Sequence, residues 1–82
     1  MNREEIIATT KRFLSEEFEI DQALIQPNNN LHKTLDLDSL DYVDLVVVID
    51  ENLGFKPTSD DFKSIQTFED FYQLVEEKLA LA

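Results

Sequence analysis

Apolar residues recur along this chain at three- and four-residue steps, the period of amphipathic helices, with little of the every-second-residue alternation of strands. Ile6, Ile7, Thr10, Phe13, Leu14 and Phe18 mark one face of a helix predicted over about Arg3 to Phe18. In the next stretch, EIDQALIQPNNNLHKTLDL, Pro27 and three Asn break the period, yet Ile20, Leu24, Ile25, Leu31, Leu35 and Leu37 remain apolar. A long connection pinned to the core is therefore expected. A second helix is predicted from Asp38 or Ser39, with Asp38 as N-cap, Asp41 at the capping-box position and Gly54 as the left-handed C-terminal residue. KPTSDDFKSI supports at most a short helical turn around Ser59 to Lys63, contributing Phe62 and Ile65. The last helix opens with Thr67 as N-cap and Asp70 at the box position, and buries Phe68, Phe71, Tyr72, Val75 and Leu79. The expected fold is all-α: a small antiparallel four-helix bundle of three main helices and one short one, in a single domain over residues 1–82, with a long loop between helices 1 and 2.

On a wheel of the second helix, Leu45, Val46, Ile49 and Leu53 fall in one arc centred near Tyr42 and flanked by Val43, the predicted core face. The opposite side carries Asp41, Asp44 and Glu51, with Leu40, Val47 and Val48 among them. A run of acids alone is ordinarily a solvated face. Acids interleaved with exposed Leu and Val have the composition of half an interface, whose other half supplies basic residues and an apolar groove.

Composition narrows the chemistry. A net charge of −11 works against binding nucleic acid or anionic lipid and favours partners with basic patches. Cysteine is absent, which removes disulfides, thiolate nucleophiles and sulfur-ligated zinc, and favours a reducing compartment, with the cytoplasm as the default. No apolar run has the length of a membrane span or a secretory core, so no membrane insertion is expected.

Six carboxylates surround one serine, Ser39, between Asp36 and Glu51. The only histidine, His32, is expected on the surface of the loop, and no Gly-rich elbow flanks the serine, so a hydrolase nucleophile is not supported. Asp36 and Asp38 begin like a calcium loop, but Leu40, Asp41 and Val47 stand where an oxygen ligand, a Gly and the closing acid are needed, and no metal site is expected. The phosphoaspartate chemistry that also begins Asp-x-Asp needs a parallel sheet, which this helical pattern does not supply. Serine is a favoured residue at helix starts. Because Asp38 already caps, Ser39 is redundant for that purpose and better suited to accept a modification.

Asp38-Ser39-Leu40-Asp41 followed by an acidic helix resembles the attachment motif of the acyl carrier proteins. The similarity extends over nearly the whole chain: the first amphipathic helix, Pro27, Leu31, the Leu45/Val46/Ile49 core and SIQTFEDF, which resembles the family's Ile-x-Thr approach to its last helix. The resemblance implies a non-catalytic carrier with a phosphopantetheine arm on Ser39, installed by a phosphopantetheinyl transferase from coenzyme A, its thiol holding acyl groups as thioesters in fatty-acid or related synthesis. It implies docking to synthases, reductases, dehydratases and acyltransferases, as a monomer, through Asp38, Leu40, Asp41, Asp44, Val47, Asp50 and Glu51. It also implies an acyl cavity, for which Val43, Val46, Val48, Phe62 and Tyr72 are candidate lining residues, each equally at home in an ordinary core. Three departures mark a divergent member: Asp36 where Gly is common, Phe62 where a small residue is usual, and Pro57-Thr58 in place of Ile-Pro. Two other readings stay open: a carrier of aminoacyl, peptidyl or polyketide units, and an unmodified acidic adaptor that binds a basic protein.

Overall fold

A computed structural model describes residues 1–81 of the chain. Its helices are α1 (Arg3–Phe18), α2 (Leu31–Leu35), α3 (Ser39–Leu53), α4 (Ser59–Ser64) and α5 (Phe68–Leu81), with one 3₁₀ turn at Gln22–Leu24. The long first connection, expected as a loop, thus contains a one-turn helix, α2. Asn30 caps it, its side chain accepting from the Lys33 N–H at 2.9 Å.

α1 packs against both α3 and α5. Ile6 and Leu14 of α1, Leu45 and Ile49 of α3, and Phe68, Phe71 and Val75 of α5 are all buried around this junction. Burying each such side chain contributes about 1.5–3 kcal/mol, so the junction dominates the stability of a domain this small. Val48, expected on the outer side of α3, is 8% exposed, whereas Val43, expected beside the core, is 62% exposed. The buried arc is turned toward Val48 by about 50° on a wheel of 3.6 residues per turn, because α1 lies on that side and Val48 shares a recess with Arg12 and Phe13.

The connection is pinned as expected. Ile25, Leu31 and Leu35 are buried, although Leu24 is half exposed. Its backbone bonds to the approach to α5: Leu31 N–H donates to Gln66 O at 2.8 Å, Phe68 N–H to Asn29 O at 3.2 Å and Glu69 N–H to Pro27 O at 3.1 Å. Asp70 holds the other side of that junction, its carboxylate accepting from the N–H groups of Gln66 and Thr67 at 3.0 and 3.2 Å. Those bonds keep its carboxyl below the usual carboxylate range.

Asp36 explains its own departure from glycine. It ends α2 at φ 51°, in the left-handed region, with its N–H donating to Lys33 O and the Leu37 N–H to His32 O, both at 3.3 Å. This is the paired pattern of a Schellman stop, where glycine is the usual residue and Asp one of the few side chains that adapt. Asp36→Gly is expected to stay within about 1 kcal/mol of the parent, and the β-branched Asp36→Val to cost about 2 kcal/mol, read from urea midpoints at constant slope. The Pro57-Thr58 departure also keeps its helix: Thr58 and Asp61 form a reciprocal capping box that starts α4.

Tyr72 is buried to 1% exposure, and its hydroxyl has no hydrogen-bond partner among the described residues. Burial pushes the phenol up to about 12; the Glu69 charge adds to the shift and Arg3 opposes it. The folded chain therefore keeps this proton after the unfolded chain has lost it. The associated stability is complete below pH 10 and is lost as pH climbs from about 10 to about 12, a swing of roughly 3 kcal/mol. Chemical denaturation at stepped alkaline pH is expected to show that swing in the parent and not in Tyr72→Phe. At neutral pH, Tyr72→Phe should match the parent or exceed it by about 1 kcal/mol, since it removes an unpaired buried hydroxyl.

Candidate functional site

The site begins with a helix start that does not need its serine. Asp38 Oδ1 accepts from the N–H groups of Leu40 and Asp41 at 2.9 and 3.0 Å, and Asp41 Oδ2 accepts from the Asp38 N–H at 3.1 Å. With the three cap bonds supplied by the carboxylates of Asp38 and Asp41, Ser39 stands exposed in the first turn of α3 with its hydroxyl free of capping duty. The positive end of the helix dipole lies under it, a favourable place for an anionic ester.

Ser39 forms part of the rim of an open groove of about 540 Å³, within the size range of small-molecule sites. His32 of α2, Tyr42 of α3, Phe62 of α4 and Ile65 line it, with Ser59, Lys63 and Gln66 as polar neighbours. The Tyr42 and Phe62 rings meet edge to face with centroids 5.3 Å apart, and the His32 ring lies 5.8 Å from Tyr42, tilted at 45°. His32 is thus not a surface loop residue: α2, held by its Asn30 cap and the Leu31–Gln66 bond, carries the imidazole between α3 and the α4–α5 link. Its Nε2 lies 3.0 Å from Ile65 O, and its Nδ1 2.6 Å from the Tyr42 hydroxyl. A carbonyl only accepts, so Nε2 carries a proton, and in the neutral ring Nδ1 then accepts from the Tyr42 hydroxyl. Both nitrogens are engaged, and the imidazole offers Ser39 no free base in this arrangement.

Of the five candidate cavity residues, Phe62 alone lines this groove. Val43 points to solvent, Val46 is half-buried against the core, Val48 lies in the α1–α3 recess and Tyr72 is in the core. The candidate docking residues separate into two groups. Leu40, Asp44, Val47 and Glu51 are exposed and fall within about 60° of one another around α3, alternating apolar and acidic. Asp38 and Asp41 are occupied in the cap, and Asp50 is half-buried. Val43, 62% exposed, widens the stripe on its apolar side.

A hydroxyl with no structural duty, a helix start that favours negative charge and an adjoining apolar groove together fit a serine-linked phosphodiester arm with an apolar load. Comparison with known proteins shows the family. A family model for the phosphopantetheine attachment site matches residues 9–75, an interval containing Ser39 and every residue of the groove. Acyl carrier protein 2 of Ralstonia nicotianae is 36% identical over 80 residues, covering 98% of this chain and 99% of the relative. The acyl carrier protein of Thermotoga maritima is 35% identical over 78 residues, covering 95% and 96%. That of Lactobacillus johnsonii is 36% identical over 67 residues, covering 82% and 84%.

Proposed function

The chain belongs to the phosphopantetheine-bearing acyl carrier family, and from that premise we propose that Ser39 is the residue on which it carries the arm. The observation that supports this most directly is the serine's exposed position on the groove rim, relieved of capping by Asp38 and Asp41. When attached, the arm supplies the thiol that a chain without cysteine lacks, and holds acyl groups as thioesters. The helix dipole at the start of α3 favours the phosphodiester charge, and Lys63 on the groove rim adds a cation nearby.

Members of this family act with a phosphopantetheinyl transferase and with enzymes of acyl-chain synthesis. For this chain we assign docking to the exposed stripe Leu40, Asp44, Val47 and Glu51, with Asp38, Asp41 and Asp50 contributing charge at its margins. The partner surfaces that fit it are basic patches with an apolar pocket, on synthases, reductases, dehydratases and acyltransferases. Among the described residues no helix is long and apolar enough to cross a membrane. The lack of cysteine suits a reducing compartment, and we place the carrier in the cytoplasm.

Incubation with coenzyme A and a broad-specificity transferase, followed by intact-mass and peptide-fragment spectra, tests the assignment. One phosphopantetheine per chain, on the fragment that contains Ser39, is the expected result. An unchanged mass, or attachment at the other groove serine, Ser59, would overturn it.

A further inference from the structure

We infer that the groove beside Ser39 is built for flat, conjugated acyl groups, aromatic or polyunsaturated, in preference to flexible saturated chains. This rests on Ser39 as the arm's anchor. Three rings, those of His32, Tyr42 and Phe62, give the groove its walls. Their mutual geometry fixes them: Tyr42 meets Phe62 edge to face at 5.3 Å, and His32 is bonded on both ring nitrogens. Phe62 is 7% exposed and anchored in the core. The space left is an open trough lined by these three rings rather than a sealed tunnel among aliphatic side chains.

Two physical differences then separate the possible loads. A conjugated acyl group presents π faces and polarised edges that pair favourably with aromatic rings, beyond the area it buries. Its bonds are also already restricted, so settling in the trough costs little ordering entropy, whereas each freely rotating bond of a saturated chain must be fixed. Ser39 on the rim confines any load to this neighbourhood, so modest differences in contact are expressed as differences in occupancy. The strength usual for aromatic pairs corresponds to an occupancy ratio of about two- to twelve-fold.

The test charges the apo protein through a broad-specificity transferase with cinnamoyl-coenzyme A or octanoyl-coenzyme A and confirms loading by intact mass. Hydroxylamine cleavage of each thioester is then compared with the same acyl group on free pantetheine, which cancels intrinsic reactivity. The protection factor of the cinnamoyl load is expected to exceed that of octanoyl by about two- to twelve-fold, with ring-current shifts at the Tyr42 and Phe62 side-chain signals. Phe62→Leu, which keeps apolar bulk, should lose that excess, whereas Tyr42→Phe, which keeps the ring, should retain most of it. Equal or greater protection of octanoyl, or an excess that survives Phe62→Leu, would overturn the inference with the carrier assignment intact. Failure to load either ester would instead remove the carrier assignment and this inference with it.

Discussion

Ser39→Ala is expected to abolish phosphopantetheine attachment entirely while leaving the fold unchanged. The two halves of this result come from separate features of the first turn of α3. Ser39 is exposed and stands between two aspartates that complete the cap by themselves. Removing its hydroxyl therefore belongs with surface substitutions, within about 0.5 kcal/mol, or about 4 °C in melting temperature for a chain of this size. Asp38→Ala should do the reverse. Loss of the cap costs about 1 kcal/mol and lowers the melting temperature by about 4–8 °C, while attachment continues at a reduced rate. Ser59→Ala should behave as the parent in both measurements. A Ser39→Ala protein that loses several kcal/mol of stability would show that the hydroxyl has a structural duty, and its failure to accept the arm would no longer identify the site.

How much of this was legible in the sequence depended on how local the determining physics is. Helix starts are decided within four residues, so Asp38 with Asp41 and Thr67 with Asp70 were readable as caps and are caps. Gly54 ends α3 at φ 82° with its N–H on Asp50 O, a stop that a lone glycine after a long apolar helix announces. Orientation around a helix is less local. The wheel of α3 placed Val43 and Val48 on the wrong sides because periodicity gives the width of an apolar arc but not which neighbour it meets. Only the packing of α1 beside Val48 decides that.

The groove was the least legible part. Its walls come from α2, α3, α4 and the link before α5, and no window of sequence contains them together. Phe62 was visible as an oversized residue and Asp36 as a missing glycine, each a departure whose meaning needed a partner in space. Asp36 kept the glycine's backbone conformation, whereas Phe62 acquired the Tyr42 ring as its neighbour. His32 was misplaced because a polar residue in an Asn-rich stretch ordinarily faces water. The available signal was slight: Asn30 as a cap, followed by Leu31 and Leu35 at helical spacing, which sets a helical turn and gives the intervening histidine a fixed direction.

The acidic face gives the other large effect. Asp44→Lys combined with Glu51→Lys raises the net charge by four, from −11 to −7, and places two cations on the acidic side of the exposed stripe. Transfer of an acyl group to a partner enzyme with a basic patch is expected to slow by about ten- to a hundred-fold at low ionic strength, within the range over which charge steers association. Near 1 M salt, where the screening length falls to about 3 Å, variant and parent should converge. Glu4→Lys with Glu77→Lys makes the same change in net charge at exposed positions on α1 and α5, away from the stripe. That pair should stay within a few-fold of the parent, so an equal loss in both double variants would assign the effect to overall charge and leave the stripe without a docking role. Leu40→Ala separates the apolar half of the contact. Leu40 is 75% exposed in the free chain, so its truncation costs the domain little, but a side chain that fills a partner's pocket gives up about 1–2 kcal/mol of binding, or roughly five- to thirty-fold. Because that loss is of contact rather than of steering, it should appear in the dissociation rate and persist at high salt, where the lysine variants have recovered.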